Sequence, residues 1–153
     1  DFSPDGKLLA SAGDDGTIRL WNLSQKQPIN ATVLSAHDGW VTAVAFSPDG
    51  QTLASASDDG TLRLWNLNDE MAVEPITLSG ENKEAWFLTL DFSPDGKRLV
   101  AAGTDKSVYQ WNLSGEPLEP LVGLEEIEEE VEEEIIRFYG GWEGLDYGFG
   151  LGE

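Results

Sequence analysis

Short apolar stretches separated by turn residues run through the first three quarters of the chain. Val41–Phe46 alternates valine and phenylalanine with smaller residues, and Thr52–Ser57 is a second run of strand-forming chemistry. Thr61–Asn66 alternates strictly, with Leu62 and Leu64 on one face and Arg63 and Trp65 on the other. Pro75–Leu78 is expected as a short fourth strand after a polar loop. The joints have turn chemistry: Ser47-Pro48-Asp49-Gly50 carries proline at its second position, and Asp58-Asp59-Gly60 leads into the third strand. The pattern predicts four short antiparallel strands per unit. Such a small sheet is buried on both faces only if neighbouring copies stack on it.

The copies are visible. FSPDG begins at Phe2, Phe46 and Phe92, and a Trp-Asn pair follows at 21, 65 and 111. Self-similarity at this period marks a repeat architecture. With these motifs at matched offsets in three copies, residues 1–115 closely resemble the WD-repeat family of β-propellers. The resemblance implies an all-β fold: an incomplete propeller of about three four-stranded blades, divided as 1–35, 36–79 and 80–123. It also implies a structural hydrogen-bond network in each blade, built from a loop His, a second-strand Ser or Thr, a turn Asp and the third-strand Trp. In the middle unit these fall on His37, Ser55, Asp59 and Trp65, and in the first on Ser11, Asp15 and Trp21. The third keeps Asp105 and Trp111 but has Ala101 for Ser and Glu81 for His, so it is expected to be held less well. The family's Trp-Asp pair is Trp-Asn throughout, a change that keeps a hydrogen-bond acceptor and removes a charge.

His37 is the only histidine, and with Ser55 and Asp59 it has the composition of a nucleophile, base and acid. Because Asp and Trp recur in the other units, the structural role is the expected one, and no catalytic residue is assigned. Nor is a metal or cofactor expected: there is no cysteine, and the Asp pairs are followed by Gly at turn spacing rather than alternating as in a calcium loop. In propellers of this kind, partners commonly sit on the face formed by inter-blade and second-to-third-strand loops. The resemblance projects Trp40, Trp86, Asp14, Asp58 and Thr104 there as a candidate protein-binding surface. The alternative for both tryptophans is packing between blades.

Charge narrows the partner. The net charge is −20, shared as 16 acidic against 8 basic residues in 1–115 and 13 against 1 in 116–153. Such a chain repels phosphate backbones and anionic lipid, which leaves a protein or peptide, and a basic one, as the expected partner. There is no apolar run of 18 residues and no basic-then-apolar leader, so a cytoplasmic protein is expected. Aligning Asp1-Phe2 with Ala45-Phe46 places the start of the chain inside a blade. A piece of a larger ring is the simplest expectation, and self-association of copies to complete the propeller is the alternative.

From 124 to 139 the repeat gives way to a Glu-rich amphipathic helix, with Leu124, Ile127, Val131, Ile135 and Phe138 on one stripe and Gly140-Gly141 as its stop. Eight glutamates in 125–134 oppose it, so the helix needs docking, as a cap on the third blade or against a basic partner; a solvated low-complexity tail is the alternative. Residues 140–153 mix glycine with aromatics and carry no assignable motif. These features point to a non-enzymatic WD-repeat interaction scaffold. The alternative is the sensor array of a larger signalling enzyme, a kinase or NTPase, whose phosphate-loop and catalytic-loop motifs do not occur in these 153 residues.

Overall fold

The computed structural model describes residues 1–24, 31–35, 37–68, 74–80, 82, 84–114 and 120–121. The expected helix at 124–139 and the tail at 140–153 lie outside the described residues, as does Glu81. The described part is all-β and forms three antiparallel sheets. The first contains β1 (Leu8–Ala12), β2 (Thr17–Asn22) and β3 (Thr32–Ser35), with Phe2 bridged to Leu9. The second contains β4 (Val41–Phe46), β5 (Thr52–Ser57), β6 (Thr61–Asn66) and β7 (Ile76–Ser79). The third contains β8 (Phe87–Phe92), β9 (Arg98–Gly103), β10 (Val108–Asn112) and β11 (Pro120–Leu121). Each sheet is a meander in chain order. In the second sheet the first three strands occupy the segments expected from alternation; the fourth lies one residue later, at Ile76–Ser79, with Pro75 just ahead of it.

The SPDG segments make the same turn three times. In each, the Ser hydroxyl donates to the Asp carboxylate at 2.6–2.7 Å and accepts the N–H that opens the next strand at 2.9 Å. The glycine closes the turn with φ of 68–70° in all three copies, a left-handed conformation that only glycine adopts without strain. Successive turns touch: a Cβ on Gly50 would lie 3.4 Å from the Pro4 ring, and one on Gly96 would lie 3.6 Å from Pro48.

Two cores lie between the sheets. Ala10, Ile18 and Leu34 of the first sheet meet Val41, Phe46, Leu53 and Trp65 of the second. Ala54, Leu62 and Leu78, from the other side of the second sheet, meet Phe87, Phe92, Leu99, Tyr109 and Trp111 of the third. Strand β5 shows the consequence of facing two cores: after Thr52 every residue is buried, with Leu53 in one core and Ala54 in the other.

The candidate hydrogen-bond network and loop face

In the middle sheet, strand pairing brings residues 37, 55, 59 and 65 together. Trp65 Nε1 donates to Ser55 Oγ at 3.0 Å, and Ser55 Oγ lies 2.8 Å from His37 Nε2. His37 Nδ1 lies 2.9 Å from Asp59 Oδ2. An indole N–H only donates, so for a neutral imidazole the chain has one consistent direction: Trp65 to Ser55, Ser55 to His37 Nε2, and His37 Nδ1–H to Asp59. Burial lowers the pKa of His37 below its ordinary value, outweighing the pull of Asp59, and this favours the neutral ring. Burial also pushes Asp59 up, but the hydrogen bonds from Thr61 and His37 outweigh it, and the net shift is downward. Asp59 Oδ1 takes both the backbone N–H and the hydroxyl of Thr61, at 2.8 and 2.6 Å, which holds the turn. Ser55 is fully buried and its hydroxyl is committed on both sides, so the arrangement can pin strands together but cannot present a nucleophile to a substrate.

The first sheet has the corresponding pair, with Trp21 Nε1 donating to Ser11 Oγ at 3.0 Å. Asp15 holds Thr17 and forms an ion pair with Arg19 at 2.8 Å; the Thr17 hydrogen bond, then Arg19, lower its pKa to about 2.

The third sheet is built differently. With alanine at 101, Trp111 Nε1 is buried and has no hydrogen-bond partner among the described residues. Asp105 takes a short hydrogen bond from the Tyr109 hydroxyl. Tyr109 stacks on Trp111 with centroids 5.9 Å apart, and Phe87 meets both rings edge-on at 5.4 and 6.0 Å. Phe87 and Tyr109 stand where the middle sheet has Val41 and Arg63. An aromatic cluster thus occupies the position of the polar chain. The signal in the sequence was the joint departure at 87, 101 and 109, three positions that share one core.

The asparagines of the Trp-Asn pairs serve a local purpose: Asn22, Asn66 and Asn112 accept the N–H two residues on, at 2.9, 2.9 and 3.1 Å. This side-chain turn ends the third strand and needs an acceptor rather than a charge.

At the other end of the strands, Trp40 is 63% exposed and Trp86 is 53% exposed, so neither is packed between the described sheets. Their backbones are clamped alike. Trp40 N–H donates to Asp58 Oδ1 at 2.6 Å and Asp58 N–H to Trp40 O at 3.1 Å; Trp86 N–H donates to Thr104 Oγ1 at 3.1 Å and Thr104 N–H to Trp86 O at 2.9 Å. Asp14, also exposed, follows Gly13, whose carbonyl accepts Val41 N–H at 3.0 Å. Among the described residues, no group of three or more His, Cys, Asp or Glu side chains is placed to hold a metal ion.

The family model for the WD domain, G-beta repeat, matches residues 1–22, 29–66 and 75–112, more than half of the chain. The chain belongs to the WD40 family. Its three sheets are therefore WD40 blades, and the networks above are laid out on WD40 repeat positions. Among curated relatives, a WD repeat-containing protein of Synechocystis is 56% identical over 45 residues, which are 29% of this chain and 13% of that protein. Nuclear distribution protein nudF 2 of Penicillium rubens is 44% identical over 43 residues, 28% of this chain and 9% of its own length. Nuclear distribution protein PAC1-1 of Uncinocarpus reesii is 46% identical over 43 residues, 28% and 10% respectively. The matches to these WD40 relatives thus span about a tenth of their length. No helix of the described residues is long and apolar enough to cross a membrane.

Proposed function

We propose that this chain is a protein-interaction scaffold without catalytic activity, and that its docking face is the loop end carrying Trp40 and Trp86 with Asp14, Asp58 and Thr104. The observation that carries the reading is Trp40: a large side chain exposed to solvent on a backbone fixed by two reciprocal hydrogen bonds. A rigid, exposed indole offers much apolar area at little further entropy cost, which is the character of an interface anchor. Asp14, Asp38 and Asp58 near it favour a basic protein or peptide, and the net charge of −20 works in the same direction at longer range. A cytoplasmic location and the absence of nucleic-acid and membrane partners belong to this proposal.

The test is crosslinking capture with the unaltered chain and with Trp40→Ala, read beside their melting curves. Trp40→Ala is expected to remove the captured partner while changing stability by no more than about 0.5 kcal/mol, as for an exposed side chain. Raising the salt should weaken capture by the unaltered chain. Undiminished capture by the variant would overturn the reading.

A further inference from the structure

Aspartate followed by glycine is the dipeptide whose backbone rearranges most readily, because glycine puts no side chain in the way of its own nitrogen. Six such pairs occur in the chain, at 5–6, 15–16, 38–39, 49–50, 59–60 and 95–96. Five of them sit in turns that hold the carboxylate. In each of the five, the Asp Oδ1 accepts the N–H two residues on at 2.8–3.0 Å and also takes a Ser or Thr hydroxyl at 2.6–2.7 Å. In four of them the glycine N–H is engaged as well: those of 6, 50 and 96 donate to a serine carbonyl at 2.8 Å, and that of 60 does so at 3.4 Å. Such bonds favour the ionised carboxyl, which is a poor electrophile. The Lys7 N–H, then the Ser3 hydroxyl, lower the pKa of Asp5 to about 2; the Ser47 and Ser93 hydroxyls, then the N–H groups two residues on, lower those of Asp49 and Asp95.

Asp38-Gly39 has neither protection. Among the described residues the Asp38 carboxylate accepts no hydrogen bond and the Gly39 N–H donates none, while both flanks are fixed. Asp38 N–H donates to Asp59 Oδ2 at 3.1 Å, and Trp40 N–H donates to Asp58 Oδ1 at 2.6 Å. Asp38 is exposed, so water reaches it. The glycine is also hard to replace, because a Cβ at 39 would overlap Asp58 Oδ1, the atom that holds Trp40. The clamp on Trp40 thus keeps a glycine directly after an unheld aspartate.

We propose that Asp38-Gly39 is a site of spontaneous isomerisation in the folded chain, and that the product loosens the loop between the first two blades. Gly39 N attacks Asp38 Cγ. The N–Cγ bond forms, a Cγ–O bond breaks, and one water leaves with the amide and carboxyl protons, giving a five-membered succinimide. Water then opens the ring: attack at Cγ restores aspartate, and attack at the backbone carbonyl leaves isoaspartate, whose main chain runs through Cβ and Cγ. Nothing is oxidised or reduced, and the product has the mass of the parent. It carries one more backbone carbon between His37 and Trp40. The hydrogen bonds to Asp59 and Asp58 on either side are set for the shorter spacing, so at least one of them must lengthen.

The test is peptide mapping of the whole chain, aged near neutral pH in the folded state and, in parallel, in urea. Isoaspartate is located by electron-transfer fragmentation and by methyl transfer from an isoaspartyl methyltransferase. In the folded chain it is expected at 38, accumulating about tenfold or more faster than at Asp5, since a pKa lowered to about 2 leaves about a tenth or less of the neutral acid of an unheld carboxyl. In urea, where the turns are gone, the six pairs should react at similar rates. Asp38→Glu is expected to remove the signal, because its ring would need a sixth member. The isomerised fraction, separated by ion exchange, is expected to melt several degrees below the unmodified chain. No isoaspartate at 38 in the folded chain, or a folded-state pattern as even as that in urea, would overturn the proposal, and so would an isomerised fraction that melts with the parent.

Discussion

Trp111 and Trp65 occupy the same repeat position, and one atom distinguishes their surroundings. Ser55 Oγ gives Trp65 Nε1 a partner, whereas Ala101 leaves Trp111 Nε1 with none among the described residues. A buried donor without a partner costs about 1–3 kcal/mol, so Ala101→Ser is expected to stabilise the chain by about 1 kcal/mol, seen as a higher urea midpoint. Ser55→Ala strands two groups at once and should cost about 3 kcal/mol or more in the same assay. Lys106 is a third residue-scale case. It sits at φ 65° where the other repeats have Gly16 and Gly60, and Lys106→Gly is expected to gain about 1 kcal/mol. His37 sets the pH dependence. Its folded pKa lies below the ordinary 6.5, so as pH falls from 6.5 the unfolded chain takes up a proton that the folded chain refuses, and stability drops through that window. His37 is the only histidine, and a His37→Asn variant should show a nearly flat stability curve between about pH 6 and 7, above the range where the carboxylates take up protons.

Strands and turns were legible because alternation and turn chemistry agree. Leu62 and Leu64 on one face of β6, with SPDG and DDG at its sheet's corners, leave a single meander as the reading. The Ser–His–Asp–Trp contacts were legible only through the family resemblance, since nothing in the spacing of 37, 55, 59 and 65 makes them neighbours until strand pairing is known. The aromatic cluster was legible only in part: Phe87 for Val41, Tyr109 for Arg63 and Ala101 for Ser55 depart together in one repeat, but only packing shows that they compensate one another. The joints between blades were hidden. Gly16 adopts φ 74°, and a Cβ there would lie 2.8 Å from His37 O and 3.1 Å from Gly39 O on the next blade. Gly16→Ala must therefore both strain its own turn and push the second blade's loop away, and a loss of about 2 kcal/mol or more is expected in thermal unfolding.

At the scale of the whole molecule, stability should be graded along the array rather than uniform, because each blade rests on its neighbours. The middle blade has a core on each side, and β5 is buried from Leu53 to Ser57. In the first blade, β1 and β3 carry exposed positions, and Val33 is half-exposed. Hydrogen exchange is expected to be slowest at the β5 amides and faster in β1 and β3; equal protection would mean that the array unfolds only as a unit. The prolines of the SPDG turns bear on how such an array can change over time. Pro4 on Gly50 and Pro48 on Gly96 keep nearly the same separation although the repeats themselves differ by two residues, 44 against 46. The surplus falls before Trp86, in the loop at the opposite end of the strands. One rim is thus a gauge that fixes blade pitch, and length variation is confined to the rim with the exposed tryptophans, where a lineage is free to remodel what it recognises without respacing the blades.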